Sequence, residues 1–253
     1  MNIPDALFTG KKIIHLTETE STNTYAMDIV AKTNPSEGTC VLADYQTGGK
    51  GQIGRYWHSE ASKNILVSYI FYPTTLQVQD QFYLNIISGL AVKDVVATFV
   101  SSVKIKWPND IYVDDRKIAG ILVQNTLRDT NIKSTIIGIG LNINQTIFSI
   151  DIPNPTSLSL LTDTVYDIQE LLALLSSRLE FYYLKLKSGQ FVTLLEAYLS
   201  HLYRKDEWAV FRGDKEHIFK GKIIGIDIQG RLKIELEDGR LQVFGFREIG
   251  FVL

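Results

Sequence analysis

The sequence predicts an α+β chain in two unequal parts, and three observations carry that reading. Up to about Arg204, apolar runs of strand length are interspersed with long stretches of helical periodicity. Beyond Lys205, short alternating runs are punctuated by Gly221, Gly225, Gly230, Gly239, Gly245 and Gly250, the pattern of a small β-barrel of about fifty residues. The 253 residues are 45% hydrophobic and 21% charged, enough apolar surface to bury a core. The expected division is a domain over 1–204 and a small barrel over 205–253.

Lys12 to Leu16 reads as a first strand. Ser21-Thr22-Asn23 offers side-chain oxygens ahead of Tyr25 to Ala31, a helix start. Strands follow at Thr39 to Tyr45 and Asn64 to Tyr72, the second stopped by Pro73. Phe82, Ile86, Ile87, Leu90, Val95 and Val96 keep helical spacing within the longest expected helix, Gln79 to Val100. Val103 to Trp107 and Ile111 to Val113 are short strands around Pro108-Asn109-Asp110. A hairpin turn at Asp114-Asp115-Arg116 leads into a strand from Lys117 to Gln124, and Ser134 to Asn144 is another. Helical periodicity returns from Asp167 through Leu186 and, after Gly189, to about His201.

Twenty-six basic and 28 acidic side chains leave a formal charge of -2, which gives no bias toward polyanions. The single cysteine, Cys40, lies in an apolar run and reads as an inert packed thiol. His15, His58, His201 and His217 are too scattered for a zinc site. The N-terminus lacks a signal-peptide pattern, and no run reaches the roughly 18–20 apolar residues that span a bilayer. A soluble, cytoplasmic protein without a membrane partner is expected.

Gly49-Lys50-Gly51-Gln52-Ile53-Gly54 contains a literal G-x-G-x-x-G. It runs into Arg55-Tyr56-Trp57-His58 and a strand rather than opening a helix, so it is no dinucleotide fingerprint. Gly51 stands where a P-loop needs Ser or Thr, and the H-R-D and D-F-G strings of protein kinases are absent. What remains is a loop whose backbone amides can converge on an anion beside Lys50 and Arg55, against the plainer reading of a flexible turn. In Lys106-Trp107-Pro108-Asn109-Asp110, proline forbids a helix and leaves two oxygen donors at a strand end, suited to Mg²⁺ beside phosphates. Lys106 reads as a point charge for a phosphate, and Lys117 either as a ligand-facing ammonium or as an edge lysine reaching to water. Gly138-Ile139-Gly140-Leu141-Asn142 adds small residues for close ligand approach and one further oxygen donor. Ser101-Ser102-Val103-Lys104 fits an S-x-x-K string but leads into a strand, so no protein nucleophile is assigned.

Taken in order, Glu20-Ser21-Thr22-Asn23, Gln46 to Trp57, Lys106 to Asp110, Arg116 to Leu122 and Gly138 to Asn142 resemble biotin–protein ligase over nearly the whole chain. The resemblance implies a mixed β-sheet flanked by helices, with the helices on one side as in class II aminoacyl-tRNA synthetases, followed by an SH3-like barrel. It implies that biotin is activated by ATP, with Mg²⁺, to biotinyl-5'-AMP and then passed to a lysine of a biotin carboxyl carrier domain. Ser21, Thr22, Asn23, Gln46, Gly49, Lys50, Gly51, Gln52, Lys117 and Gly120 would hold biotin. Arg55, Trp57, Lys106, Asn109 and Asn142 would hold ATP, and Asp110 with Asn142 the metal. Lys117, Lys50 and Arg55 would carry the charge neutralisation of catalysis. A homodimer is compatible with this reading.

Two departures from the family pattern stand out. Lys50 and Gln52 occupy positions where the family commonly has arginines, so one two-pronged contact and one charge are lost. Only twenty residues precede Ser21, too few for the helix-turn-helix of repressor members, so no operator DNA is expected. Two alternatives stay open. A lipoate–protein ligase would share the two-step logic, but the polar Ser21, Thr22 and Gln46 suit a ureido ring better. A non-catalytic binding module would use the barrel, but there Lys215, Lys220, Lys222, Arg231 and Lys233 are balanced by acidic neighbours.

Overall fold

The computed structural model describes residues 6–51, 56–213 and 217–252. Seven strands form a mixed sheet in the order β1-β2-β3-β7-β6-β5-β4. They are β1 (Ile13–Thr19), β2 (Cys40–Gln46), β3 (Ile65–Phe71), β4 (Val103–Lys106), β5 (Asp110–Val113), β6 (Arg116–Arg128) and β7 (Asn131–Leu141). Only β1 and β2 run parallel, joined by the crossover helix α1 (Thr22–Thr33); every other neighbour pair is antiparallel. The hairpin β6–β7 extends beyond its expected ends to a tight turn at Asp129-Thr130, since Arg128 still pairs with Asn131.

β3 is buried at every position, so both faces of the sheet need cover. Cys40, Leu42, Val67, Tyr69 and Phe71 pack into the main core with α2 (Phe82–Ala97), α4 (Ile168–Lys187) and α5 (Phe191–Ser200). Alternate residues Val41, Ile70 and Ile136 face the other way and meet Ala26 of α1. The helices therefore lie on both faces, not on one as the resemblance implied: a strand that is apolar on both sides leaves room for no other solution. α2 is apolar nearly all round, as befits a helix packed between the sheet and α4. Cys40 is wholly buried, which pushes its thiol up to about 12 and keeps it unreactive.

A short helix not expected from the sequence, α3 (Leu158–Thr162), is capped by Ser157, whose Oγ accepts from the Leu160 amide at 3.2 Å. After α5, residues 201–203 add to the β4 edge: Ile105 N donates to His201 O at 2.8 Å and Tyr203 N to Ile105 O at 2.9 Å. The chain then enters a second, antiparallel sheet of β8 (Trp208–Arg212), β9 (Ile218–Ile226), β10 (Leu232–Leu236), β11 (Leu241–Phe244) and β12 (Gly250–Phe251). Its ladder runs β11-β10-β9-β8-β12, open between β11 and β12 among the described residues. Phe211 stacks with Phe219 and meets Phe251, and Phe219 stacks on Phe244, so side chains from both outer strands share one interior. The two sheets are joined by Trp107, whose Nε1 donates to Gly230 O at 2.8 Å, and by Phe82, which fills the space a side chain at Gly230 would take.

The described chain begins under a clasp. Leu7, Phe8 and Thr9 donate three successive backbone amides to the buried Glu180 carboxylate of α4, at 2.6, 2.9 and 2.8 Å. Burial pushes this carboxyl up, but the amides of Leu7, Thr9 and Phe8 outweigh it and hold the group below its ordinary value of 4.5. A depressed carboxyl stabilises the fold fully above its unfolded value and loses that contribution as pH falls through the folded one. Glu180→Gln is expected to cost about 1–3 kcal/mol near neutrality and to flatten the fall of melting temperature with acidification. Melting curves from pH 7 downwards check both; parallel profiles for the two proteins would refute the clasp.

Candidate active site

The site lies on the α1 face of the large sheet and depends on three glycines. Gly120 of β6 pairs directly with Gly140 of β7, and Gly138 lies between Leu122 and Ser68 on the neighbouring strands. A Cβ on Gly138 would collide with the Asn23 side chain, and one on Gly140 would stand 2.6 Å from Trp57 Nε1. A Cβ on Gly120 would stand 2.9 Å from Trp57 Cζ3. Bare backbone is thus what lets one polar and one aromatic side chain lie flat on the sheet.

Asn23 uses that room to hold α1 down. Its Nδ2 donates to Gln124 Oε1 at 2.8 Å and Leu122 O at 3.3 Å, while its Oδ1 lies 2.6 Å from Ser68 Oγ. Gln46, at the end of β2, accepts through Oε1 from the Thr22 amide at 2.7 Å and the Thr22 hydroxyl at 3.1 Å. An amide at the N-terminus of α1 is therefore satisfied from a neighbouring strand. Ser21 occupies the N-cap position with extended backbone but makes no side-chain cap bond, unlike Ser157 and Asp167 on their helices. Its hydroxyl is left for the cleft.

The opposite wall carries charge. Lys117 Nζ lies 2.7 Å from Asp110 Oδ1, with both side chains about a quarter exposed at 26% and 21%. The lysine's backbone is pinned by the segment 154–156: Lys117 N donates to Asn154 O at 2.7 Å and Thr156 N to Lys117 O at 2.9 Å. Asn109 locks the turn by donating from Nδ2 to Ile121 O at 2.5 Å. Asn142 donates to Thr156 O at 2.9 Å, but among the described residues its buried Oδ1 has no hydrogen-bond partner, and neither does the buried Trp57 Nε1.

These walls enclose a cleft of about 870 Å³, within the range of small-molecule sites. Ser21, Thr22, Asn23, Gln46, Gly49, Lys50, Gly51, Trp57, Asn109, Asp110, Lys117, Gly120 and Asn142 all line it. Gly49 packs against the Trp57 carbonyl and Lys50 Nζ donates to Thr24 Oγ1 at 2.9 Å. Gln52 and Arg55 lie outside the described residues. Lys106 is not on the cleft wall; its ammonium lies among aromatic rings at the second sheet. Sequence reasoning passed over Ser68, which holds Thr22 and Asn23 from beneath the cleft, and also Tyr112 and the segment Gln145 to Pro155, which closes one side of the cleft with Ile147 and Ile152. The Pro153-Asn154-Pro155 string was the available signal for that segment, since it rules out regular structure there.

A cleft that sets a polar rim and a lysine–aspartate pair on either side of a glycine floor, on a mixed sheet followed by a small antiparallel one, defines an acyl-activating ligase. Residues 16–144 match the Biotin/lipoate A/B protein ligase family, and the chain belongs to it. The bifunctional ligase/repressor BirA of Bacillus spizizenii is 32% identical over 247 residues, covering 93% of this chain and 73% of that protein. The biotin–[acetyl-CoA-carboxylase] ligase of Paracoccus denitrificans is 27% identical and covers 93% of this chain and 99% of its own. Among solved structures, the biotin protein ligase from Aquifex aeolicus in complex with biotin and ATP superposes with a TM-score of 0.80 at 26% identity, covering 96% of this chain and 99% of that one.

Gly140→Ala is expected to lift the Trp57 indole from the sheet, because the added methyl has no space beneath it. The readout is tryptophan emission, which should shift to the red as Trp57 gains solvent; an unchanged spectrum would contradict the packing described.

Proposed function

We propose that this chain activates biotin with ATP and transfers the biotinyl group to a lysine of a biotin carboxyl carrier domain. The observation that carries the reading is the Lys117–Asp110 pair facing the polar rim of Ser21, Thr22 and Gln46 across a glycine floor. The relatives named as biotin ligases, and a structural neighbour described with biotin and ATP, support it. Among the described residues no helix is long and apolar enough to cross a membrane.

The first step needs no protein nucleophile. A biotin carboxylate oxygen attacks the α-phosphorus of ATP, the bond to the β-bridging oxygen breaks, and pyrophosphate leaves. Two anions must be brought together, and the Lys117 ammonium, held in place by Asp110 and by the pinned backbone of β6, offsets their repulsion. The Trp57 indole, seated flat over Gly120 and Gly140, gives the ligand a planar apolar surface, and the rim of Ser21, Thr22 and Gln46 offers polar groups to a ureido ring. In the second step the acceptor lysine's amine attacks the acyl carbon, AMP leaves and the nitrogen loses its proton.

Among the described residues no cluster of three His, Cys, Asp or Glu side chains could hold a metal ion alone. The Asp110 carboxylate, about a fifth exposed on the cleft wall, would hold an Mg²⁺ that takes its remaining ligands from phosphates and water, and the buried Asn142 Oδ1 would have to turn toward it to join. Such an ion would neutralise phosphate charge.

Pyrophosphate release with Mg-ATP, compared across biotin, lipoate and octanoate, tests the reading. Release dependent on biotin, followed by AMP release on addition of a carrier domain, is the expected result; release with lipoate alone would transfer the chain to the other branch of the family. Lys117→Ala should lower the rate of biotinyl-AMP formation by about 10²–10³ while leaving the melting temperature near the parent's. A parental rate in that variant would remove Lys117 from the chemistry.

A further inference from the structure

Lys106 stands off the cleft, yet its surroundings are arranged around a cation. Its Nζ lies 4.3 Å from the centroid of Tyr112, 4.9 Å from that of Phe251 and 5.9 Å from that of Tyr203. It also donates to the Tyr112 hydroxyl at 3.0 Å. The three rings come from three places: β5, the segment after α5 that caps the β4 edge, and β12 of the second sheet.

The rings form a continuous path. Tyr112, which lines the cleft, meets Tyr203 at 5.4 Å between centroids; Tyr203 meets Phe251 at 5.8 Å; Phe251 meets the fully buried Phe211 at 5.3 Å. Tyr203 is itself fixed, donating its hydroxyl to the Asp115 carboxylate in the β5–β6 turn, beside Arg204. On β4, Lys106 pairs in register with Asp110, the residue that holds Lys117. One ammonium therefore sits where the second sheet, the capping segment and the charged cleft wall converge.

We infer that Lys106 is a positioning residue for adenylate formation: by clamping Tyr112 against Tyr203 and Phe251, it locks the wall carrying Asp110 and Lys117 onto the second sheet. The inference rests on the ligase reading above. It assigns Lys106 a role other than the phosphate contact expected from the sequence, since an ammonium enclosed by ring faces is already held by their negative quadrupoles. Catalysis by orientation tolerates little displacement, about 1 Å being enough to lower a rate a hundredfold, so a clamp behind the wall acts on turnover rather than on ligand binding.

Steady-state pyrophosphate release should be measured for the parent, Lys106→Met, Lys106→Arg, Phe251→Leu and the Lys106→Met/Phe251→Leu double variant, alongside their melting curves. Lys106→Met should lower kcat by about tenfold with KM for ATP changed less than about twofold, and Lys106→Arg, which keeps a cation able to stack on rings, should recover most of it. Phe251→Leu, well away from the cleft, should lower kcat in the same sense, and the double variant should fall no further than the worse single. Should Lys106→Met fail to fold, the contrast between Lys106→Arg and Phe251→Leu carries the same test. A raised KM for ATP in Lys106→Met with Phe251→Leu at parental kcat would make Lys106 a phosphate ligand and overturn the inference, as would additive losses. Absence of biotin-dependent release by the parent itself would instead overturn the ligase reading, and this inference with it.

Discussion

Everything at the cleft depends on how closely side chains approach the sheet over Gly120, Gly138 and Gly140. A strand face ordinarily carries a layer of Cβ atoms that keeps helices and ligands at side-chain distance. Here two adjacent strands drop that layer, and the vacated depth is taken by the Asn23 amide and the Trp57 indole. Asn23 then reaches Ser68, Leu122 and Gln124, which fixes the start of α1. With α1 fixed, Thr22 meets Gln46, and the hydroxyl of Ser21 is presented to the cleft instead of being spent as a helix cap.

The second constraint is the joint between the sheets. β4, the last strand of the large sheet, is covered by residues 201–203 and so presents no open edge there. The same residues bring Tyr203 against Tyr112, and the next segment docks on β9, where Asp206 N donates to Ile223 O at 2.8 Å. Trp107 and Phe82 complete the joint through Gly230. The small sheet therefore shares a core with the large one, and the loops that build the charged wall are framed by both.

Much of this was legible in the sequence because strand and helix signals here are strong: apolar runs such as Ile65 to Phe71, and the helical periodicity that resumes at Asp167, which caps α4. The K-W-P-N-D and R-K-I-A-G-I-L strings, through the family resemblance, assigned Asp110 and Lys117 to one ligand site, and both line the same cleft. Lys106 shows the limit. On a four-residue strand its spacing gives no hint of the aromatic rings beside its ammonium, because Tyr203 and Phe251 lie about a hundred and more positions further along the chain. The segment Gln145 to Pro155 was illegible for another reason: it has no periodicity, and its place is set by side-chain bonds such as Asn64 Nδ2 to Gln145 Oε1 at 2.6 Å. The position of α1 on the second face likewise follows from the alternation of β2 and β3 taken together, which neither strand discloses alone.

Cys40 has a practical meaning for chemistry on the molecule. It is the sole thiol of the chain, it has no exposed surface, and its burial leaves almost none of it as thiolate at neutral pH. Alkylating and disulfide-forming reagents thus meet a protein that is silent toward them while it stays folded. A single cysteine introduced at an exposed position such as Ile150 becomes the one site that accepts a fluorophore or spin label, with no native thiol to be removed first. Thiol reactivity of the unaltered chain, for its part, becomes a clock for global opening, since the label can enter only when the core around β2 comes apart.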